Sequence, residues 1–247
     1  MLDDALLQSF TNTFYGYGNY QGRYWFIGME EGGGGSTEEV SRRLSAWDDR
    51  GRKEVEGPGE SHSEFGVSPF FKKQPKSQPT WNKLIRILLS IEGKNPTLQE
   101  VKSYQATNLG KSDSDTCLLE LLPLPSPHTG KWLYADSSLL PQLRTRDLYR
   151  GHYAPLRAMH IKERIEEHTP AVVVFYSFNG WYRQWWELIA GVTFTRESIG
   201  ADRAYLGSND HTVFAIVKHP VARRTGNDYF HQAGRLISTR LGSQITS

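Results

Sequence analysis

Residues 171–175 read Ala-Val-Val-Val-Phe. An unbroken apolar run of this length is typical of a strand that is buried on both faces of a parallel sheet. Three more short apolar runs occur, at residues 24–27, 116–119 and 212–217. Helical patterns lie between the four runs. Strands that alternate with helices predict an α/β fold with three layers, in which helices cover both faces of a central four-stranded, mostly parallel sheet.

Helices are predicted at residues 81–91, 153–168, 180–190 and 228–241. In the second of them, Leu156, Met159 and Ile165 recur at helical spacing, and we expect them to share the buried face. Residues 32–78 differ from the rest, because they are rich in Gly, Ser, Pro and charge and show no clean period. We predict a single domain over residues 1–247, with a long irregular and functional insertion at about 32–78.

The composition is that of an ordinary globular protein, with 247 residues, 38% hydrophobic and 23% charged. No apolar run approaches the roughly 18 residues of a membrane-spanning helix. The acidic start, Met-Leu-Asp-Asp, lacks the basic region of a signal peptide. The single cysteine, Cys117, excludes an intramolecular disulfide, a cysteine-built zinc site and an iron–sulfur cluster. We therefore predict a cytoplasmic monomer with no membrane contact, no metal and no cofactor.

The net charge is only +2, but the basic residues are clustered. Residues 141–165 carry six lysines or arginines against two acidic residues, and residues 218–240 are similarly basic. Such a local basic surface can attract a phosphate backbone even when the total charge is small. An ordinary solvated helix face remains the alternative.

Side chains that can take part in catalysis or ligand binding follow each predicted strand. Glu30 and Glu31 follow the first strand, Glu120 follows the second, Tyr176 the third and His219 the fourth. In open parallel sheets, ligands bind at the carboxyl ends of the strands. If the four strands are parallel, carboxylates, a histidine and backbone amides therefore meet at one edge of the sheet.

A run of four glycines, residues 32–35, follows the first strand. The Lys-Ser/Thr pair of a nucleotide-binding loop is missing, and so is the spaced fingerprint of a dinucleotide site. A flexible hinge and a backbone cradle for a DNA phosphate both remain open.

Two of the strand ends resemble motifs of the uracil-DNA glycosylase superfamily. Residues 28–32, Gly-Met-Glu-Glu-Gly, resemble its first motif, Gly-x-(Asp or Asn)-Pro-(Tyr or Gly). Residues 219–223, His-Pro-Val-Ala-Arg, resemble its second motif, His-Pro-Ser-Pro. Residues 120–127 are similar to the segment in which an asparagine commonly reads the base. The resemblance implies that superfamily's fold and an enzyme that removes a base from DNA.

The resemblance and the chemistry of N-glycosidic cleavage together assign roles. Glu30, with Glu31 in reserve, is expected to orient or deprotonate water beside an oxocarbenium-like sugar. The alternative for either glutamate is a structural capping role. His219 is expected to donate a hydrogen bond to the base carbonyl. Gly28 and Met29 are expected at the base, and Ser126, Arg223, Arg224 and Thr225 at the DNA backbone.

Glu120 stands where the superfamily's asparagine discriminates uracil. An ionised carboxylate only accepts hydrogen bonds, so it suits an exocyclic amine such as cytosine N4 and repels uracil O4. We predict that the enzyme removes a modified cytosine, such as glucosylated hydroxymethylcytosine of viral DNA, in antiviral defence. The candidates to stack on the flipped base are Phe65, Phe70, Phe71, Tyr176 and Phe178.

Two other functions remain open. Glu30, Glu31 and Glu120 can supply oxygen ligands for Mg²⁺ in a metal-dependent nuclease, which a chelator would inactivate. A non-catalytic DNA-binding module would keep its arginine surface and lose nothing in a Glu30→Gln variant. The sequence does not decide between single-stranded and double-stranded DNA.

Overall fold

All eight strands of the protein belong to one sheet in a computed structural model, which describes residues 1–58, 68–72, 74–128 and 130–245. The strands are β1 (Gly16–Gly18), β2 (Tyr24–Glu30), β3 (Val55–Glu56), β4 (Thr116–Leu122), β5 (Val172–Phe175), β6 (Thr195–Ile199), β7 (Asp202–Ser208) and β8 (Val213–Ile216). The four predicted strands are β2, β4, β5 and β8. They pair in parallel in the order β4-β2-β5-β8, which confirms the α/β class.

The prediction of a four-stranded sheet is wrong, because both sides of the parallel centre carry further strands. On one side β1 pairs antiparallel with β4, and β3 pairs parallel with β1. On the other side β7 pairs antiparallel with β8, and β6 with β7. These added strands lack a long apolar run. The two sequences Gly-Tyr-Gly in β1 and Thr-Arg-Glu-Ser-Ile in β6 are examples.

Eight α-helices accompany the sheet within the described residues. They are α1 (Asp4–Thr13), α2 (Thr37–Asp49), α3 (Pro79–Ile91), α4 (Leu98–Thr107), α5 (Tyr134–Ser137), α6 (Arg146–His168), α7 (Gly180–Ala190) and α8 (Asn227–Ile245). The four predicted helices correspond to α3, α6, α7 and α8. Short 3₁₀ turns occur at Ser68–Phe70 and Pro141–Leu143. Helix α3 packs against α8, and α6 packs against α7.

Helix α6 differs from its prediction in length and in its buried face. It begins at Arg146, where Thr145 caps it by accepting a hydrogen bond from Leu148 N. Leu156 and Met159, which we expected to be buried, are 60% and 47% exposed. The buried face instead carries a charged residue, Arg157, which is 1% exposed. Ile165, the third residue of the predicted set, is buried as expected, at 4% exposed. The prediction is therefore wrong for Leu156 and Met159, because an arginine occupies the buried face beside them.

Residues 32–78 are less irregular than we predicted. Helix α2 occupies Thr37–Asp49, and Ser36 caps it by accepting a hydrogen bond from Glu39 N. Its buried side chains recur at helical spacing, and β3 follows within the same region. Residues 59–67 and residue 73 of the predicted insertion lie outside the described residues.

The core of the protein is centred on the parallel strands. All four residues of β5 and of β8 are buried, as are the first five residues of β2. Cys117 in β4 is fully buried, as its place in an apolar run predicted. No helix in the described part of the chain has the length and apolar character needed to cross a membrane. Packing in the core therefore sets the positions of the carboxyl ends of the parallel strands, where the polar residues begin.

Candidate functional site

The carboxyl ends of the four parallel strands bring four of the predicted site residues together. Gly28 on β2 pairs directly with Glu120 on β4. Tyr176 follows β5, and its backbone N–H donates to Ile27 O at 3.2 Å. His219 follows β8, with its ring centroid 6.0 Å from that of Tyr176. Residues distant in sequence thus form one cluster at the expected edge of the sheet.

Gly28 provides the space in which this cluster forms. A Cβ atom at position 28 would lie 2.2 Å from Glu120 Oε2 and 2.2 Å from Tyr176 Oη. Both distances are far below van der Waals contact, so a larger residue would displace both side chains. The glycine lets a carboxyl group and a phenol lie directly against the backbone of the central strand.

Glu120 is the least compensated acidic group at this edge. Its Oε1 accepts a hydrogen bond from Tyr176 Oη at 2.7 Å. Its Oε2 is buried and has no hydrogen-bond partner among the described residues. Burial raises the pKa of Glu120 to about 8, with smaller contributions from Glu31 and Glu30 and an opposing one from the Tyr176 hydrogen bond. At pH 7 the Glu120 carboxyl is therefore mostly protonated, so the expectation of an ionised carboxylate does not hold there.

His219 lies beside this pair as a neutral imidazole. Burial lowers its pKa, which disfavours the imidazolium form at pH 7. Its Nδ1 accepts a long hydrogen bond from the backbone N–H of Val221, at 3.4 Å. With Nδ1 as the acceptor, Nε2 carries the proton and is able to donate. This arrangement suits the predicted role of His219 as a hydrogen-bond donor to a ligand.

Glu30, the predicted water-activating base, is instead the centre of an ion-pair network. Its Oε1 accepts hydrogen bonds from Arg150, at 2.8 and 3.0 Å, and from Tyr182 Oη at 2.8 Å. Its Oε2 pairs with Arg146. The Glu30 side chain is 12% exposed. Because two guanidinium groups and a phenol occupy its oxygens, Glu30 is poorly placed to take a proton from water.

Glu31, the reserve candidate, points to a different set of partners. Its Oε1 accepts hydrogen bonds from Tyr17 Oη and from Arg43 Nη1, both at 2.7 Å. Arg43 also pairs with Glu39 in the same helix. These contacts join β2 to β1 and α2. Glu31 therefore has a structural role in the fold and does not join the Glu120 cluster.

The remaining predicted base contacts are dispersed. Met29 is half-buried against the core. The rings of Phe70 and Phe71 pack on Trp81, with centroids 6.0 and 5.6 Å apart. The ring of Phe178 lies 5.6 Å from that of Tyr205, and Phe65 lies outside the described residues. Among the aromatic candidates that the structure describes, only Tyr176 joins the cluster.

The predicted DNA-backbone residues fall into two groups. Ser126 accepts a hydrogen bond from Arg146 and donates to the carbonyls of His128 and Lys131, so it belongs to the loop around the Glu30 network. Arg223 and Arg224, in contrast, are exposed in the loop after His219. Thr225 lies half-buried in that same loop. Ser126 is half-buried like Thr225, so the two arginines are the exposed members of the predicted set.

Two of the four consecutive glycines have their amides occupied. The backbone N–H groups of Gly34 and Gly35 donate to the Glu39 carboxylate, at 2.9 and 2.8 Å. Gly33 and Gly34 adopt positive φ angles of 99° and 70°, which explains the use of glycine there. The run is thus an anion cradle, but its anion is a side chain of the protein itself.

Sequence reasoning missed the residues that organise the site. Arg146 and Arg150 belong to a basic segment that we interpreted as a surface, but they turn inward to Glu30. Arg157 donates to the backbone carbonyls of Glu120 and Leu121, at 3.0 and 2.7 Å, and so fixes the end of β4. The spacing of Arg146 and Arg150, four residues apart on one helix face, was the available signal.

The three glutamates do not form a metal site. Within the described ranges, no group of three or more His, Cys, Asp or Glu side chains is placed to hold a metal ion. Glu30 and Glu31 are paired with arginines, whereas Glu120 pairs with a tyrosine. This geometry disfavours the nuclease alternative.

Comparisons of the sequence with protein-family models and with curated proteins find no match.

Proposed function

We propose that the protein is a monofunctional DNA glycosylase that removes a flipped-out modified cytosine and leaves an abasic site. The observation that carries this proposal is Glu120, whose buried Oε2 lacks a partner among the described residues and lies over Gly28 at the ligand-binding edge of the sheet. The motif resemblance around residues 28–32 and 219–223 supports the same assignment. A glycosylase of this specificity would act on modified viral DNA.

A protonated Glu120 can recognise the pairing edge of cytosine with both of its oxygens. Oε2–H can donate to the cytosine N3 lone pair, while Oε1 accepts from the exocyclic N4 amine beside the Tyr176 hydrogen bond. Uracil presents an N–H at position 3 in place of a lone pair, so it offers no basic atom there for this proton. Substituents at C5 project from the neighbouring edge of the ring, beside the N4 amine, and leave the N3 lone pair accessible to Glu120.

Bond cleavage then requires one proton and one water molecule. The C1′–N1 bond breaks as Glu120 transfers its proton to N3, so the base departs as a neutral species. Water adds to C1′ of the sugar, and its released proton returns to the Glu120 carboxylate. A general acid works best when its pKa lies near the operating pH, and the pKa of about 8 for Glu120 meets this condition.

His219 complements this step from the side of the fourth strand. As a neutral imidazole with its proton on Nε2, it can donate to the cytosine O2 carbonyl, where negative charge develops. The exposed Arg223 and Arg224 lie four and five residues after His219 and can contact the flanking phosphates. Action as a monomer and a cytoplasmic location stay predictions from the sequence.

The test is an abasic-site assay in the presence of a chelator. Oligonucleotides carry uracil, hypoxanthine, cytosine, hydroxymethylcytosine or glucosylated hydroxymethylcytosine, and alkali reveals abasic sites. We expect cleavage only after alkali, and only with a modified cytosine. Glu120→Gln keeps the shape but cannot transfer a proton, so activity should fall by about 100-fold or more. Glu38→Gln, at an exposed position in the first turn of α2, is the matched control and should be unchanged.

Each other result points to a different function. Strand scission without alkali that the chelator abolishes would favour the metal-dependent nuclease. DNA binding without abasic sites on any substrate would favour a non-catalytic module. Equal activity of Glu120→Gln and the unaltered protein would remove Glu120 from the chemistry.

A further inference from the structure

A cavity of about 510 Å³ lies outside the Glu120 cluster, between the first turns of α3 and α8 and the loop after His219. Polar groups on its wall include Ser77, Asn82, Lys83, Arg86, Thr225 and Asn227. Its volume lies within the range of small-molecule sites in proteins. One residue with a predicted DNA-backbone role, Thr225, lies on its wall, whereas Glu120, Tyr176 and His219 do not line it.

Two cations on its wall have no acidic partner. Lys83 donates to the amide oxygen of Asn227. Arg86 is 5% exposed and donates to Asn82 Oδ1 and to the Pro96 carbonyl, each at 3.0 Å. Neither forms a salt bridge with any carboxylate in the described ranges of the chain. Lys83 is half-buried, whereas Arg86 is buried, and a buried cation is normally paired with an acidic group. The arrangement therefore leaves the positive charges of both side chains for a ligand.

The charged groups around the two cations include one acidic residue, Asp228 in the first turn of α8. Burial lowers the pKa of Lys83, and the positive charge of Arg86 lowers it further. Burial also lowers the pKa of Arg86. His231, which lies 3.0 Å from Arg86, has its own pKa lowered by burial and by Arg86 and is therefore neutral. Asp228 acts on the pKa of His231 but forms no ion pair with either cation.

We propose that this cavity binds the phosphate monoester of a nucleotide, with Lys83 and Arg86 as the cationic partners of the phosphate. A phosphate monoester carries a charge of about −1.5 to −2 at neutral pH, which matches two unpaired cations better than the single charge of a backbone diester. Ser77, Thr225 and Asn82 line the same wall and add polar side chains. The N-terminal turns of α3 and α8 also face the cavity, and helix N-termini favour anions.

This site goes beyond the proposed glycosylase function and does not depend on it. Two sources can supply the same chemistry, a free mononucleotide or the 5′-phosphate at the end of a DNA strand. Because the cavity wall includes Pro220 and Val221, just after His219, a ligand here would contact the same loop as the base-binding cluster.

The experiment measures binding by calorimetry with deoxyadenosine 5′-monophosphate and with deoxyadenosine, which lacks the phosphate, because neither carries the base proposed for the Glu120 cluster. We expect the monophosphate to bind and the nucleoside to bind at least about tenfold more weakly. Lys83→Gln should weaken monophosphate binding about tenfold, and Lys83→Arg should restore most of it. Arg196→Gln removes the same charge from the exposed edge strand β6 and should change nothing.

Oligonucleotides with a 5′-phosphate or a 5′-hydroxyl distinguish the two sources. A preference for the phosphorylated strand that Lys83→Gln abolishes assigns the site to a strand end, whereas equal binding of both strands assigns it to a free nucleotide. Equal binding of monophosphate and nucleoside would overturn the proposal, and so would a Lys83→Gln variant that binds like Arg196→Gln. If Lys83→Gln does not fold, thermal unfolding of the unaltered protein decides, because only the monophosphate should raise its Tm. Glu120→Gln should bind the monophosphate normally, so this test is independent of base removal.

Discussion

Glu30 is the last residue of β2, and Glu120 lies on the neighbouring parallel strand β4. The carboxyl groups of the two residues nevertheless lie in opposite electrostatic surroundings. Glu30 is paired with Leu122 of β4 in the ladder, only two positions beyond the Gly28–Glu120 pair. Two arginines and a tyrosine satisfy its carboxylate. Glu120 has one tyrosine and an unpartnered buried oxygen within the part of the chain that the structure describes.

This contrast separates a carboxylate that stabilises the fold from one that can act on a ligand. A carboxylate held by two guanidinium groups and a phenol has few free lone pairs. A desolvated carboxyl group keeps its proton near neutral pH and still has an oxygen to offer. Sequence position alone favoured Glu30, because it occupies the motif position. The surroundings favour Glu120.

The largest expected effect comes from closing the space that Glu120 uses. A Gly28→Ala variant places a methyl group 2.2 Å from Glu120 Oε2 and from Tyr176 Oη, so both groups must move. A displacement of about 1 Å in a catalytic group can cost about 100-fold in rate, and we expect at least that loss of base excision. The measurement is the abasic-site assay on the glucosylated substrate.

Gly32→Ala is the matched control for this substitution. Position 32 lies two residues after the end of the same strand, and an added Cβ there meets no atom within 4 Å. We expect its activity to stay within a few-fold of the unaltered protein. Full activity in Gly28→Ala would mean that the Glu120–Tyr176 pair is not part of the active site.

A second expected effect is a dependence of stability on pH that belongs to Glu120. In the unfolded chain its carboxyl ionises near pH 4.5, whereas in the folded protein it keeps its proton to about pH 8. The folded state therefore binds more protons between these values, so the free energy of unfolding should fall as the pH rises across this window. The slope is about 1.4 kcal/mol per pH unit, and the total is on the order of 5 kcal/mol.

Urea unfolding of the unaltered protein and of Glu120→Gln, compared across this window, measures the effect. The free energy of unfolding of the unaltered protein should fall relative to that of Glu120→Gln as the pH rises to about 8. Above this pH the difference between the two free energies should be constant. Parallel pH profiles for the two proteins would show that Glu120 ionises normally in the folded state. In that case burial would not set the Glu120 carboxyl apart from that of Glu30.

The centre of the fold could be predicted from the sequence, whereas its edges could not. Strands β5 and β8 are unbroken apolar runs, and burial on both faces is what such runs require. Strand β6, Thr-Arg-Glu-Ser-Ile, is mostly exposed and held by backbone pairing with β7, which leaves little trace in hydrophobicity. Edge strands of this kind depend on their neighbours, so local patterns do not identify them.

The candidate site also has one part that the sequence predicts and one part that it does not. The convergence of Glu120, Tyr176 and His219 followed from strand order, because parallel strands end at one edge. The partners of Glu30 could not be predicted, since Arg146 lies 116 residues away in sequence. Long-range ion pairs depend on how helices pack on the sheet. They decide here which predicted glutamate remains available for chemistry.

The smallest expected effect is the loss of stability when Glu30 is neutralised. In Glu30→Gln, Arg146 and Arg150 lose their acidic partner while they stay 10% and 20% exposed. Removing one partner of a buried ion pair costs about 3–5 kcal/mol, and the partial exposure here reduces our expectation to about 2–3 kcal/mol. Urea unfolding measures this change, with Glu187→Gln as the control, because Glu187 pairs with Arg183 in an exposed i,i+4 contact worth less than about 1 kcal/mol. Base excision by the folded Glu30→Gln protein should stay within about tenfold of normal, since Glu120 supplies the proton. An unchanged stability together with a complete loss of base excision would reverse the assignment and make Glu30 the group that acts on water.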